Sequence, residues 1–119
     1  VKIPKRAPNL YDALVTRVVD GDTVDVEIDL GFGVVKKERL RLWGINTPEV
    51  RGEEREAGLV SDLEVRKKIA QRWIVIDTTE GYGKFGRCLA VIYVEQKNGD
   101  MLNLNQWLVD EGFAEEYMR

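Results

Sequence analysis

Apolar and polar residues alternate from Leu14 to Leu30, with Val24, Val26, Ile28 and Leu30 on one side of an extended chain and Thr23, Asp25, Glu27 and Asp29 on the other. A period of two is what a strand buried on one face requires, and a turn at Asp20-Gly21 divides the run into two strands. Gly31-Phe32-Gly33 makes the next turn. The third strand, Val34 to Trp43, alternates Leu40 and Leu42 with Arg39, Arg41 and Trp43, and Pro48 closes it ahead of a charged loop from Glu49 to Arg55. From about Glu54 to Ala70 the period lengthens. Ala57, Val60 and Leu63 recur at helical spacing, continued by Ile69 and Ala70, which predicts an amphipathic helix.

Two further β-rich runs, Trp73 to Thr78 and Cys88 to Glu95, flank the glycine-rich segment Gly81 to Arg87, and Asn98-Gly99 is a hairpin signal. The last element is a helix from about Asn105 to Glu111, with an asparagine available as N-cap and Gly112 where a C-terminal cap belongs. Val1 to Pro8 is basic, holds two of the three prolines and has no periodicity, so residues 1–13 read as an arm leading into one domain, 14–119. Three strands, a helix, two strands and a helix predict a β-rich α+β domain, a five-stranded barrel of the OB type with two or three helices. A mixed α+β sheet is the alternative that periodicity alone leaves open.

Composition narrows the chemistry more than the fold. The 119 residues include one cysteine, Cys88, and no histidine, so an internal disulfide, a multi-thiolate zinc site, a Ser-His-Asp triad and any histidine base are excluded. Catalysis would have to use carboxylates, Arg, Lys, Tyr and a hard metal. The net charge of −3 argues against a protein that coats DNA through a broad basic face, though not against a small phosphate-binding cleft. No apolar run approaches the roughly 20 residues a membrane helix needs, so no membrane span is expected. Val1 to Asn9 lacks the apolar stretch of a signal peptide, which leaves a soluble protein whose compartment is open, secretion after removal of a leader included.

Three constellations stand out. Asp20-Gly21-Asp22-Thr23 offers two carboxylates around a tight turn, suited to a hard cation or to an ordinary turn. An EF-hand is excluded, because Asp25 and Gly31 stand where its sixth and twelfth positions need Gly and Glu. Asn46-Thr47-Pro48-Glu49 places an amide oxygen, a carbonyl and a carboxylate at the end of the strand carrying Arg41. Tyr82-Gly83-Lys84-Phe85-Gly86-Arg87 is a glycine-hinged basic loop able to set Arg87 against a phosphate and stack Phe85 or Tyr82 on a base. Its G-x-G-x-x-G runs into a strand rather than a helix, so the dinucleotide reading fails.

In order and spacing, DGDT, Arg41, Asn-Thr-Pro-Glu, Gly-Arg before a β-run and the closing Leu-Val-x-x-Gly-Phe-Ala from Leu108 resemble the staphylococcal nuclease family, over about Val15 to Ala114. The resemblance implies calcium as cofactor, with Asp22, Asn46 and Thr47 as metal-site residues. Asn46 departs from the family's aspartate, and losing a charged ligand should weaken the site. Glu49 matches the glutamate that orients or deprotonates the attacking water, and Arg41 and Arg87 match the arginines that grip the scissile phosphate. Lys84, Phe85, Tyr82 and Tyr117 are the implied substrate contacts, with Phe85 standing where a tyrosine is common. The implied activity is hydrolysis of DNA or RNA, single-stranded or locally opened, with little sequence specificity and 3′-phosphate ends, by a monomer without membrane contact. A nucleic-acid-binding module that no longer cuts is the rival reading, favoured by Asn46. An interaction domain using Asp110, Glu111, Glu115 and Glu116 is the third.

Overall fold

The structure is a computed structural model that describes residues 8–117. Its strands are β1 (Leu10–Asp20), β2 (Thr23–Asp29), β3 (Val35–Leu42), β4 (Ile45–Asn46), β5 (Trp73–Asp77), β6 (Cys88–Glu95), β7 (Met101–Asn103) and β8 (Glu115–Glu116), with helices α1 (Arg55–Ile69) and α2 (Leu104–Asp110). β1 pairs antiparallel with β2 and β5, β2 with β3, and β5 with β6, while β3 meets β6 in parallel. Together these pairings close a five-stranded OB-type barrel, as the sequence predicted. β7 extends the β6 edge, and β4 with β8 forms a separate ribbon.

The predicted alternation fills the barrel: Val24, Val26 and Ile28 turn inward to join Val15, Leu40, Ile76 and Ile92 in one buried cluster. β1 serves two neighbours, pairing with β5 through Leu10–Leu14 and with β2 from Ala13 to Asp20, and it bends between them. Its register shifts between Val15 and Arg17 and again between Val18 and Asp20, and the second irregularity lies directly before the Asp20-Gly21-Asp22 turn. The strand begins at Leu10, inside the segment expected as an arm, because Leu10 and Tyr11 pair with Asp77 and Ile76. Residues 1–7 of that arm lie outside the described residues.

Closure is short. Leu40, Arg41 and Leu42 of β3 lie opposite Cys88, Leu89 and Ala90 of β6, which sets Arg41 beside a residue two positions after Arg87. Arginines 46 residues apart in sequence are thereby delivered to one end of the barrel.

α1 covers nearly the predicted range and buries the expected Ile69, but the rest of its buried side differs from the expectation. Gly58, Ser61, Val65 and Ile69 face the barrel, whereas Ala57, Val60 and Leu63 face solvent. Both sets have helical spacing. What selects the first is closeness of approach: Ser61 donates its hydroxyl to the Phe113 carbonyl at 2.6 Å, and Gly58 lies against the backbone of the loop before the helix. At the start of α2 the N-cap is Asn103, whose side chain accepts from the Gln106 N–H at 3.0 Å. Asn105 is instead buried. Its amide donates to the carbonyls of Trp43 and Ala90, and its oxygen accepts from the Ile92 N–H, fastening α2 to β6 and to the chain leaving β3. Gly112, at φ 80°, then reverses the chain so that Phe113 and Ala114 both donate to the Leu108 carbonyl.

Candidate functional site

One end of the barrel opens into a cleft of about 610 Å³ lined by Asp20, Asp22, Thr23, Arg41, Asn46, Thr47, Pro48, Glu49, Glu54, Arg87, the segment Gly112–Glu115 and Tyr117. The β1–β2 turn supplies the aspartates, the end of β3 Arg41, the loop after β4 Thr47 to Glu49, the start of β6 Arg87, and the chain after α2 Tyr117. Arg41, Glu49, Arg87, Asp22, Asn46, Thr47 and Tyr117, distant in sequence, thus share one concavity. The other expected contacts do not line it. Tyr82 and Lys84 border a neighbouring depression with Trp43, which shares Tyr117 with the cleft. Phe85 is exposed, with the Arg87 guanidinium 5.7 Å from its ring centre. Tyr82 also donates its hydroxyl to Glu38 at 3.0 Å.

Arg41 is the buried charge of the site, 7% exposed. Its side chain donates to the Leu42 carbonyl at 2.7 Å and to the Asn46 amide oxygen, and lies 3.5 Å from an Asp22 carboxylate oxygen. Burying a guanidinium demands such partners, and a fork held on several sides keeps one orientation. Asp22 is organised from the other direction. One oxygen accepts from the Thr47 N–H at 3.2 Å and the other from the Thr23 hydroxyl at 3.2 Å. The Asp22 N–H in turn donates to Asp20 at 3.1 Å.

The two aspartates titrate as a pair. Burial, the hydrogen bond to Asp22 and the charge of Asp22 push the Asp20 carboxyl up to about 6. Burial alone would raise Asp22 too, but the Asp20 hydrogen bond, the Arg41 charge and the Thr47 N–H outweigh it and hold Asp22 below the usual range. Asp22 therefore stays ionised while Asp20 keeps its proton into mildly acidic solution. Sequence reasoning read Asp20 as one of two turn carboxylates suited to a hard cation or to an ordinary turn; its raised titration, which comes from burial and from Asp22, carries no signal in the periodicity.

Gly58 was missed as well. A Cβ at this position would stand 2.3 Å from the Glu49 carbonyl oxygen and 2.8 Å from that of Pro48, so only glycine lets α1 pack against the loop that carries Glu49. Gly21 is similar, because its missing side chain makes room for Thr47, whose methyl would lie 2.9 Å away.

For a hard cation the donor chemistry fits. The cleft offers carboxylate, amide and carbonyl oxygens, and five carboxylates (Asp20, Asp22, Glu49, Glu54 and Glu115) face two guanidiniums. An anionic phosphodiester would enter that acidic cleft more readily with a positive ion present. Among the described residues no three Asp, Glu, His or Cys side chains converge as a ligand set. A cation would accordingly rest on the Asp20–Asp22 pair, neutral oxygens and water, and Asn46 already spends its oxygen on Arg41.

The closed barrel with a cleft at its mouth is an OB-type fold. The chain belongs to the family of staphylococcal nuclease homologues, whose model matches residues 39–119. The match starts after the Asp20–Asp22 turn, which the barrel brings alongside it through the Thr23–Arg41 pair. A relative, an uncharacterized protein of Methanocaldococcus jannaschii, is 28% identical over 130 aligned positions, covering 91% of this chain and 60% of the relative. The chain thus spans about three fifths of the length of that curated relative. The family is generally one of nucleases. No helix among the described residues is long and apolar enough to cross a membrane.

Proposed function

We propose that the cleft hydrolyses phosphodiester bonds in DNA or RNA with the help of one calcium ion. The observation that carries this reading is the gathering of Arg41, Arg87, Glu49 and the Asp20–Asp22 pair around one concavity. Two guanidinium forks bind phosphate oxygens in pairs and neutralise the charge that grows there as water attacks in line. Glu49, exposed at the cleft wall, accepts the proton of that water or orients it. Asp22, Asp20 and the Thr47 carbonyl would hold the cation, joined by Asn46 once its oxygen turns away from Arg41, and the ion when bound would supply polarisation of a phosphoryl oxygen and positive charge against the surrounding carboxylates. Departure of the 5′ oxygen leaves a 3′-phosphate.

Tyr117 offers a ring at the cleft edge, and Tyr82, Lys84 and Phe85 lie along the adjoining surface, where a strand leaving the cleft meets aromatic faces and a cation. Stacking and phosphate contacts carry little base information, so cutting is expected to be insensitive to sequence and to prefer single-stranded or opened substrate. The domain acts as a soluble monomer in this reading. One observation favours the alternative of a module that binds without cutting: the Asn46 oxygen is committed to Arg41. The test is incubation of the purified chain with heat-denatured DNA and with RNA in calcium, in magnesium and in chelator. Calcium-dependent cutting with 3′-phosphate ends is expected, whereas retained binding without cutting at high calcium establishes the alternative.

A further inference from the structure

The cations of this acidic chain are unevenly placed. At the end of α1 remote from the cleft, a groove of about 650 Å³ runs between the helix and the β6–β7 hairpin, lined by Lys67, Lys68, Arg72 and Lys97 with Glu95 as its one acidic residue. Two of the four cations are oriented by uncharged partners. Arg72 donates to the backbone carbonyls of Lys68 and Glu95, both at 3.0 Å, and the Lys68 ammonium lies 4.7 Å from the ring centre of Trp107. Those partners carry no net charge, so they orient the two cations without neutralising them. Lys67 meets a carboxylate, Glu64, at 3.4 Å, with the lysine side chain 61% exposed, a pairing that water screens. Basic residues in a last helical turn also offset the helix dipole, but that accounts for Lys67 and Lys68, not for Arg72 or Lys97 beyond the helix.

We propose that this groove is a second contact for the phosphate backbone of the same nucleic-acid strand that enters the cleft, an inference that rests on the reading above. Glu54, which lines the cleft, directly precedes α1, and Lys67 lies near the other end of that helix, about 20 Å away at 1.5 Å per residue. A strand stacked as in a duplex spans that distance in about six steps. Oligonucleotides of three residues occupy the cleft alone, and those of twelve reach both places.

The experiment measures binding of three- and twelve-residue single strands with cutting-resistant phosphorothioate linkages, in calcium buffer over a range of salt. The wild type is compared with Lys67→Glu/Lys97→Glu and with Arg17→Glu/Lys37→Glu, an equal charge change on exposed positions of β1 and β3. The inference predicts that the groove variant binds the twelve-mer on the order of tenfold more weakly, with a salt slope shallower by about 1.4 for two lost phosphate contacts. Its three-mer affinity stays within twofold of wild type, and the control variant binds both lengths as wild type does. Unchanged twelve-mer affinity and slope in a groove variant that still binds the three-mer overturn the second contact and leave the cleft reading intact. Equal weakening in both variants overturns it in favour of a general charge effect. Wild-type protein that binds neither length overturns the cleft reading and this inference with it.

Discussion

Replacing Gly58 by alanine separates the placement of Glu49 from the stability of the fold. In the structure the added methyl would lie 2.3 Å from the Glu49 carbonyl oxygen and 2.6 Å from its carbonyl carbon, where even a tight contact needs 3.0 Å and an ordinary one 3.4 Å. Backbone cannot rotate away as the end of a long side chain can, so the Pro48–Glu49 peptide must withdraw by about 1 Å, a misplacement that costs on the order of 100-fold in rate. The stability change is smaller because two effects oppose. Overpacking costs about 1–3 kcal/mol, and alanine in place of glycine inside a helix recovers about 1 kcal/mol. Single-turnover cleavage of a labelled oligonucleotide, run beside a thermal melt, reads both. Gly58→Ala is expected to melt within several degrees of wild type and to cut on the order of 100-fold more slowly. A variant that folds and cuts at the wild-type rate would refute the argument that Gly58 positions Glu49.

Asn105→Ala leaves the Ile92 N–H and the Trp43 and Ala90 carbonyls without the side chain that serves them, and should lower unfolding free energy by about 3 kcal/mol in denaturant titration, while Asn103→Ala, a cap, costs about 1 kcal/mol. Asp20 binds its proton more tightly folded than unfolded, so its ionised form destabilises the fold above about pH 6, a penalty that disappears as the pH falls below the ordinary carboxylate range. Asp20→Asn should therefore raise stability at pH 7.5 in metal-free buffer and give no gain at pH 3.5. A displacement of roughly two pH units corresponds to ~3 kcal/mol, which solvent screening of this half-buried group reduces to ~1 kcal/mol. Asn46→Asp adds a carboxylate beside Asp22 and should strengthen calcium binding on the order of tenfold, read as a larger calcium-induced rise in melting temperature. An unchanged calcium response would remove Asn46 from the metal site.

The barrel was legible because its strands bury one face only, so Val24, Val26 and Ile28 advertise the inward side by alternation alone. α1 was legible as a helix but not in its orientation. Counting apolar residues selects Ala57, Val60 and Leu63, whereas the barrel needs the small Gly58 and Ser61, whose value is in what they lack. Asn105 escaped for a related reason: an asparagine at the head of a helix looks like a cap, and its three backbone partners come from the middle of β6 and the chain leaving β3, which only the closed barrel brings together. At the site, local motifs marked Asp22, Arg41, Thr47, Glu49 and Arg87, which line the cleft. They gave no means of placing Tyr82, Lys84 and Phe85, because a glycine-hinged loop can direct its side chains to either side of the barrel rim. The proton held by Asp20 depends on burial and on its neighbour's charge, neither of which is written in the order of residues.

The most direct test of the account is the single-turnover rate of cutting denatured DNA in calcium by the wild type and by Glu49→Gln, which keeps the shape of residue 49 and removes its ability to take a proton. The account predicts calcium-dependent cutting by the wild type and a rate lower by about 10²- to 10⁴-fold in the variant, with oligonucleotide binding and melting temperature preserved. Equal rates in the two proteins, or wild-type cutting that persists in chelator, would contradict it.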